Sequence, residues 1–289
     1  MARIHELKNK ISIIDNTKKI TSTMEMVAAS KLKKTQNLML KSRPYAEKIV
    51  SIINHISMSN VEYNHPFLSQ QNIERVAYII VSSDTGLCGG LNNNLFRAVI
   101  YDMQKHSKKN IAIDLYLIGA KAESFFKRCG GNVIASISHL GDQPSLSQLI
   151  GLITPALNDQ KSGKIQKLYL CFNKFINTMV QKIQILPLLP IIASTESQAE
   201  VKSHNWDYIY EPNAEFLLNL ILLRYIESLV YQAVMENIAC KQAAQMIAMK
   251  SATDNASDII YDLKLLYNKA RQATITQEII EIVTGAESI

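Results

Sequence analysis

Residues 213–284 contain neither glycine nor proline, a run of 72 positions, and residues 1–43 contain neither as well. Nothing in such a stretch removes a backbone hydrogen bond or loosens the chain, so both ends can form very long helices. At about 1.5 Å per residue, 72 helical residues reach roughly 110 Å, several times the width of a small domain. No globular core buries a helix of that length. It needs a partner helix.

The apolar spacing supplies one. Ala252, Ala256, Ile259, Leu263, Leu266, Ala270, Ala273 and Ile280 recur at steps of four and three, interrupted only at Gln277. Ile4, Leu7, Ile11 and Ile14 follow the same spacing, after which the stripe drifts to Ile20, Met24 and Val27, predicting a weaker supercoil there. Charge agrees with pairing of the ends: residues 1–60 carry a net +7, residues 211–289 a net −4.

Nine of the ten glycines fall between 86 and 163, and there the pattern changes. Val76–Ser82 and Ile111–Ile118 are apolar β-branched runs, each followed by a helical stretch, Leu91–Met103 and Ala120–Lys127. Asn132–Ile137 reads as a third strand followed by a helix from about Ser145. Lys167–Phe172 and Val180–Leu186 read as two more strands joined by a turn at Asn177. The order predicts a doubly wound, mostly parallel sheet with one antiparallel addition. The expected fold is α/β: a long antiparallel coiled coil of the two terminal helices, with this domain inserted. Its expected parts are helix 1–60, linker 61–74, α/β domain 75–195, linker or foot 196–212, and helix 213–289.

Candidate chemistry is thin. The segment Asp84–Asn92 follows the first strand and opens a helix, where phosphate loops sit, yet it matches neither GxGxxG nor GxxxxGK[ST]. Its three glycines also have a purely conformational reading. Cys88 lacks a His or Asn at recognisable spacing and reads as a small hydrophobe. Four cysteines without a CxxC, and six isolated histidines, outline no disulfide framework and no metal site. No cofactor is expected. No run approaches the roughly 20 apolar residues that span a bilayer. The basic series Lys18, Lys19, Lys31, Lys33, Lys34, Lys41 and Arg43 suits nucleic acid, a solvated helix face, or acidic protein loops.

Specific segments decide among these. ITSTMEMVAASKL at 20–32, MKSATDNA at 249–256 and LYNKARQATITQE at 266–278 resemble the signatures of the gamma subunit of F-type ATP synthase. GLCGGLN at 86–92 and WDYIYEP at 206–212 resemble further segments of that family, in the same order along the chain. The resemblance implies a non-catalytic central shaft whose paired helices rise inside a ring of three alpha and three beta subunits. It also implies an epsilon subunit and a membrane ring of c subunits at the base.

Residue by residue, it implies that Met24 faces a beta-subunit loop and that Lys31 and Lys33 lie near acidic beta loops. Arg271, Gln272, Thr276 and Glu278 match upper-shaft positions that contact the ring, as does Gln245, where bacterial relatives often carry a basic residue. Tyr208, Tyr210 and Glu211 match the foot near the c ring and epsilon. Thr85 stands where an arginine is common, and the cysteine pair of the light-regulated chloroplast type is missing. With no transit segment, the expected place is the cytoplasmic face of a bacterial inner membrane, peripheral, with no nucleic-acid partner and no insertion into the bilayer. A basic coiled-coil nucleic-acid-binding protein is the alternative, and a nucleotide-binding enzyme the third reading.

Overall fold

The computed structural model describes residues 2–58, 73–190 and 214–287. Its elements are α1 (Ala2–Met58), β1 (Arg75–Val81), α2 (Leu91–Ser107), β2 (Ala112–Ile118), α3 (Ala120–Arg128), β3 (Asn132–Ile137), α4 (Leu146–Lys161), β4 (Lys167–Phe175), β5 (Gln181–Leu189) and α5 (Ala214–Glu287). The chain divides into two compact units, one of Lys31–Ala244 and one of Met1–Ser30 with Gln245–Ile289.

The first unit is built on a five-stranded sheet of order β3-β2-β1-β4-β5. The β1–β2, β2–β3 and β1–β4 pairs are parallel, and β5 runs antiparallel to β4 at the edge. The chain steps from β1 to β2 to β3 on one side, then returns to place β4 on the other. That makes the sheet doubly wound. Beyond its first residue, β1 is buried throughout because both of its faces are covered. Val76, Tyr78 and Ile80 pack with Leu95, Phe96 and Val99 of α2 and with Phe126 of α3. Ala77, Ile79 and Val81 pack with Leu149, Leu152 and Ala156 of α4.

The same second layer contains Leu222, Ile226, Val230, Ala233 and Val234 of α5. The lower part of the C-terminal helix is therefore a covering layer of the sheet. Its near-continuous burial over this stretch follows from that role.

Strand ends differ from the sequence expectation where pairing extends them. β4 continues to Phe175 and β5 to Leu189, because Phe175 pairs with Gln181 and Leu168 with Leu189. Asn177 forms the turn, its Oδ1 accepting the N–H groups of Met179 at 2.9 Å and Val180 at 2.7 Å. At the other end of the sheet, Arg75 donates to both oxygens of buried Asp114 at 3.1 Å. Asn132 donates to Asp114 at 2.7 Å, so one carboxylate is bonded from β1 and from β3.

The second unit is an antiparallel helix pair. Thr21 and Thr253 hydroxyls meet at 2.8 Å, while Lys8 and Ile11, earlier in α1, share a groove with Lys264, Tyr267 and Asn268, later in α5. The α5 seam runs Met249, Thr253, Ala256, Ile260, Leu263, Tyr267, Ala270, Thr274, with steps of four and three throughout.

Only three of the eight expected positions are in this seam. Ala256, Leu263 and Ala270 keep their places, but Ile259 is 47% exposed, Leu266 52% and Ile280 55%, and Ala273 also faces solvent. On α1 the expected drift is absent. The seam continues through Lys18, Thr21, Glu25 and Ala28, while Ile20 is 60% and Val27 49% exposed. Small and large residues share the contact, and at its centre the Thr21 and Thr253 hydroxyls lie within hydrogen-bond distance of each other and of the Lys18 and Met249 carbonyls in their own helices.

Candidate functional site

The glycine loop after β1 holds itself closed. Asn92 accepts the Ser83 N–H at 3.3 Å and donates to Ser83 Oγ at 2.7 Å and Cys88 Sγ at 3.5 Å. Ser83 Oγ donates to the Thr85 carbonyl at 2.7 Å. Asp84 Oδ1 accepts the N–H of Ala120 and of His139, each at 3.0 Å, which ties β1 to the start of α3 and to the loop after β3. The side chains that would otherwise meet a phosphate are engaged within the protein. Gly89 is needed for its backbone, with φ of +58°. Cys88 is buried against Leu91 and Cys240. The Cys240 thiol donates to the Asn173 carbonyl at 3.2 Å, and burial pushes its pKa far up, the opposite of an activated nucleophile.

Beside this loop lies a cavity of about 220 Å³, lined among others by Lys31, Asp84, Asp142, Asn237 and Lys241. Lys31 Nζ stands 2.7 Å from Asp142 Oδ2, and Gln242 Nε2 donates to Asp142 Oδ1 at 3.0 Å. Asn173 of β4 donates to Asn237 of α5 at 2.9 Å, with both side chains buried. The polar groups of this region thus link strand ends to helices.

The basic series is divided rather than gathered. Lys19 pairs with Asp15 at 2.8 Å and Lys31 with Asp142, whereas Lys33 and Lys34 are exposed. Among the described residues, no group of three or more His, Cys, Asp or Glu is placed to hold a metal ion. No described helix is long and apolar enough to cross a membrane.

The expected contact residues lie on α1 and α5. Met24 and Gln245 are half-buried, and Lys33, Arg271, Gln272, Thr276 and Glu278 are exposed. Thr276 Oγ1 donates to the Gln272 carbonyl at 2.9 Å, within its own helix. Tyr208, Tyr210 and Glu211 lie outside the described residues.

A surface that sequence reasoning did not single out accompanies them. Ile259, Leu266, Ile275, Ile279, Ile280 and Ile282 all remain substantially exposed on α5. Leaving a large aliphatic side chain half exposed forgoes about 1 kcal/mol of burial, so a series of them marks a face to be covered by another surface. Ile259, Leu266 and Ile280 form an apolar stripe one residue ahead of the seam, and Ile275, Ile279 and Ile282 lie on its other side. Of these, the four-three spacing places only Ile259, Leu266 and Ile280 in the expected seam.

Comparison with known proteins follows the same outline. The family model described as ATP synthase matches residues 3–289. A protein of Nitrosococcus oceani named ATP synthase gamma chain is 52% identical over 289 residues, covering 100% of both chains. Among solved structures, the rotor of Euglena gracilis mitochondrial ATP synthase aligns with a TM-score of 0.66 at 18% identity, covering 95% of this chain and 99% of that one. The central stalk and c-ring structure of Tetrahymena thermophila mitochondrial ATP synthase aligns at 0.60 and 24% identity, covering 81% and 99%. At these identities the structural likenesses carry the fold.

Proposed function

Because the chain belongs to the ATP synthase family as a gamma chain, we propose that it is the central rotor shaft of an F-type ATP synthase. In this role it couples ion-driven rotation of a membrane c ring to conformational cycling of the catalytic beta subunits. The observation that carries this reading is the end-to-end likeness to a gamma chain, 52% identical over the whole of both chains. The helix pair with an uncovered apolar stripe beside its seam supports it.

Three alpha and three beta subunits surround the upper helices, and the epsilon subunit and c ring meet the base. Rotation of an asymmetric shaft changes which contacts each beta subunit makes, and so biases each among its states in turn. Met24, Lys33, Gln245, Arg271, Gln272, Thr276 and Glu278 are the proposed ring contacts, with Lys31 beside them. Tyr208, Tyr210 and Glu211 are the proposed foot. Gln245 and Thr85 provide no charge where relatives often have one. The working place is the cytoplasmic face of a bacterial inner membrane. The test is to mix the chain with alpha and beta subunits and look for a stable, ATP-hydrolysing assembly. Failure of all three to associate overturns the reading.

The chain itself is non-catalytic in this reading, since the loop after β1 uses its polar groups internally. Chain freed of other subunits is therefore expected to turn over no ATP. Turnover that persists through rigorous purification would contradict this.

Lys33 and Lys34 test the ring contact. Exposed charge pairs are typically worth under about 1 kcal/mol and weaken with salt, so replacing both by glutamine should leave assembly intact. Coupling should suffer more, because it depends on how contact energy varies with angle. The expected result is fewer ions pumped per ATP hydrolysed. Unaltered coupling would remove both lysines from the interface.

A further inference from the structure

Two residues of α1 and α5 converge on one carboxylate of the loop between β3 and α4. We propose that Asp142 is a positioning residue that ties this loop to both long helices, through Lys31 and Gln242. The sheet and the helix segments beside it then turn as one body under load. This rests on the rotor reading above.

The geometry sets Asp142 apart from an ordinary surface ion pair. Its two oxygens serve different partners, Oδ2 at 2.7 Å from Lys31 Nζ and Oδ1 accepting from Gln242 Nε2 at 3.0 Å. Lys31 and Asp142 are each partly exposed, and a pair of that kind alone holds little. Gln242, however, is 1% exposed, so its amide has lost water and depends on the Asp142 oxygen. The carboxylate therefore supplies a partner to a buried group on one helix and a counter-charge to the other.

The loop is equally fixed on its sheet side. The His139 N–H donates to Asp84 at 3.0 Å, and the same oxygen of Asp84 accepts from Ala120 at the start of α3. A continuous polar path thus runs from α1 and α5 through Asp142, along residues 139–142, to Asp84 at the end of β1.

Apolar packing runs beside this path, since Leu140 rests against the core cluster that includes Val230, Ala233 and Val234 of α5. The cavity of about 220 Å³ beside it is lined by Leu140, Gly141 and Asp142 together with Val234, Asn237 and Lys241. The polar contacts of Asp142 add direction to that apolar contact, because each fixes one oxygen on one named partner. His139 and Gly141 have φ of +62° and +72°, conformations that the loop keeps because its ends are held. The series of shaft lysines therefore has two kinds of member. Lys31 serves the interior of its own chain, and Lys33 and Lys34 face outward.

The experiment uses the assembled complex, fixed through its ring, with a bead attached at Cys129, the one exposed cysteine of the four. Angular fluctuation of the bead in the ATP-waiting state reports how stiffly the α/β unit follows the helices. Asp142→Ala is expected to raise the angular variance about twofold or more, and Lys31→Gln to raise it less, because the buried Gln242 contact survives. The double variant should be no worse than Asp142→Ala alone, since both changes remove the same tie. Should Asp142→Ala not assemble, Asp142→Asn is measured instead; it loses the charge but keeps an oxygen for Gln242, so it should raise the variance about as much as Lys31→Gln, and no rise overturns the tie. Unchanged variance in the single variants, or strictly additive effects in the double, overturns the tie while a rotating wild type preserves the rotor reading. A wild-type chain that neither assembles nor rotates overturns both.

Discussion

Leu263→Pro is expected to destabilise the helix pair by about 3 kcal/mol or more and to abolish assembly with partner subunits. Leu263 sits in the α5 seam, half-buried. Proline there removes the N–H that bonds the carbonyl of Ile259 and drives its ring into the preceding turn. The distal effect is larger. The segment Lys264–Glu287 extends the helix by about 36 Å, so a kink of roughly 20° carries its tip about 12 Å off line. The seam from Tyr267 to Thr274 then loses its partner, and the exposed stripe beyond it points elsewhere. Cys88→Ser is the comparison. It buries a hydroxyl beside Leu91 and Cys240 at a cost of about 1 kcal/mol, lessened where Asn92 can donate to the new oxygen. Circular dichroism of each variant, with co-purification alongside alpha and beta subunits, measures both effects. Equal loss of assembly in the two variants would contradict this account and reopen the role of Cys88.

Gly119→Ala is expected to cost the α/β unit about 3 kcal/mol or more, combining backbone strain with overlap. Gly119 has φ of +98° and ψ of 140°, a region open essentially to glycine alone. A Cβ there would stand 2.6 Å from the Ser82 carbonyl oxygen and 2.7 Å from its hydroxyl. Neither can retreat. Ser82 donates its N–H to Ile118 at 2.8 Å, its hydroxyl receives the Ala122 N–H at 2.9 Å, and Gly119 donates to Ile137 at 2.7 Å. The ends of β1, β2 and β3 meet at this point. Gly130→Ala is the control, with φ of +74° but nothing within 4 Å of the added methyl, and should cost only about 1 kcal/mol. Denaturant unfolding followed by tyrosine signal compares them, since Tyr78, Tyr116 and Tyr169 all lie in this sheet. Equal midpoints would show that the crossing of the three strands is less tight than its distances say.

Much of the fold was open to inspection in the sequence. Glycine and proline mark where long helices must stop, and β-branched runs mark where a sheet must lie, because both effects act within a few residues. The bounds of β3 agree with the sequence to the residue, and β1 and β2 begin within one residue of expectation. β4 and β5 were read short because their ends are extended by pairing across the hairpin, a property of neither strand alone. For the candidate site, the family signatures indicated which helix positions to consider. The division of labour among the lysines was hidden: Asp142, the partner of Lys31, stands a hundred residues from Gln242, its other partner.

By itself the sequence determined the element types, their order and the family, since local backbone preference and motif identity need no third dimension. Tertiary structure alone decided the phase of the helix pair. Successive helix residues differ by about 100°, so stripes one residue apart can both satisfy the four-three spacing. The choice between Ile259 and Ile260, or Leu266 and Tyr267, was made by the facing helix, where Thr21 and Ala28 admit close approach. The losing stripe was left outward, and its exposure is what makes α5 a surface for partners as well as half of a coil.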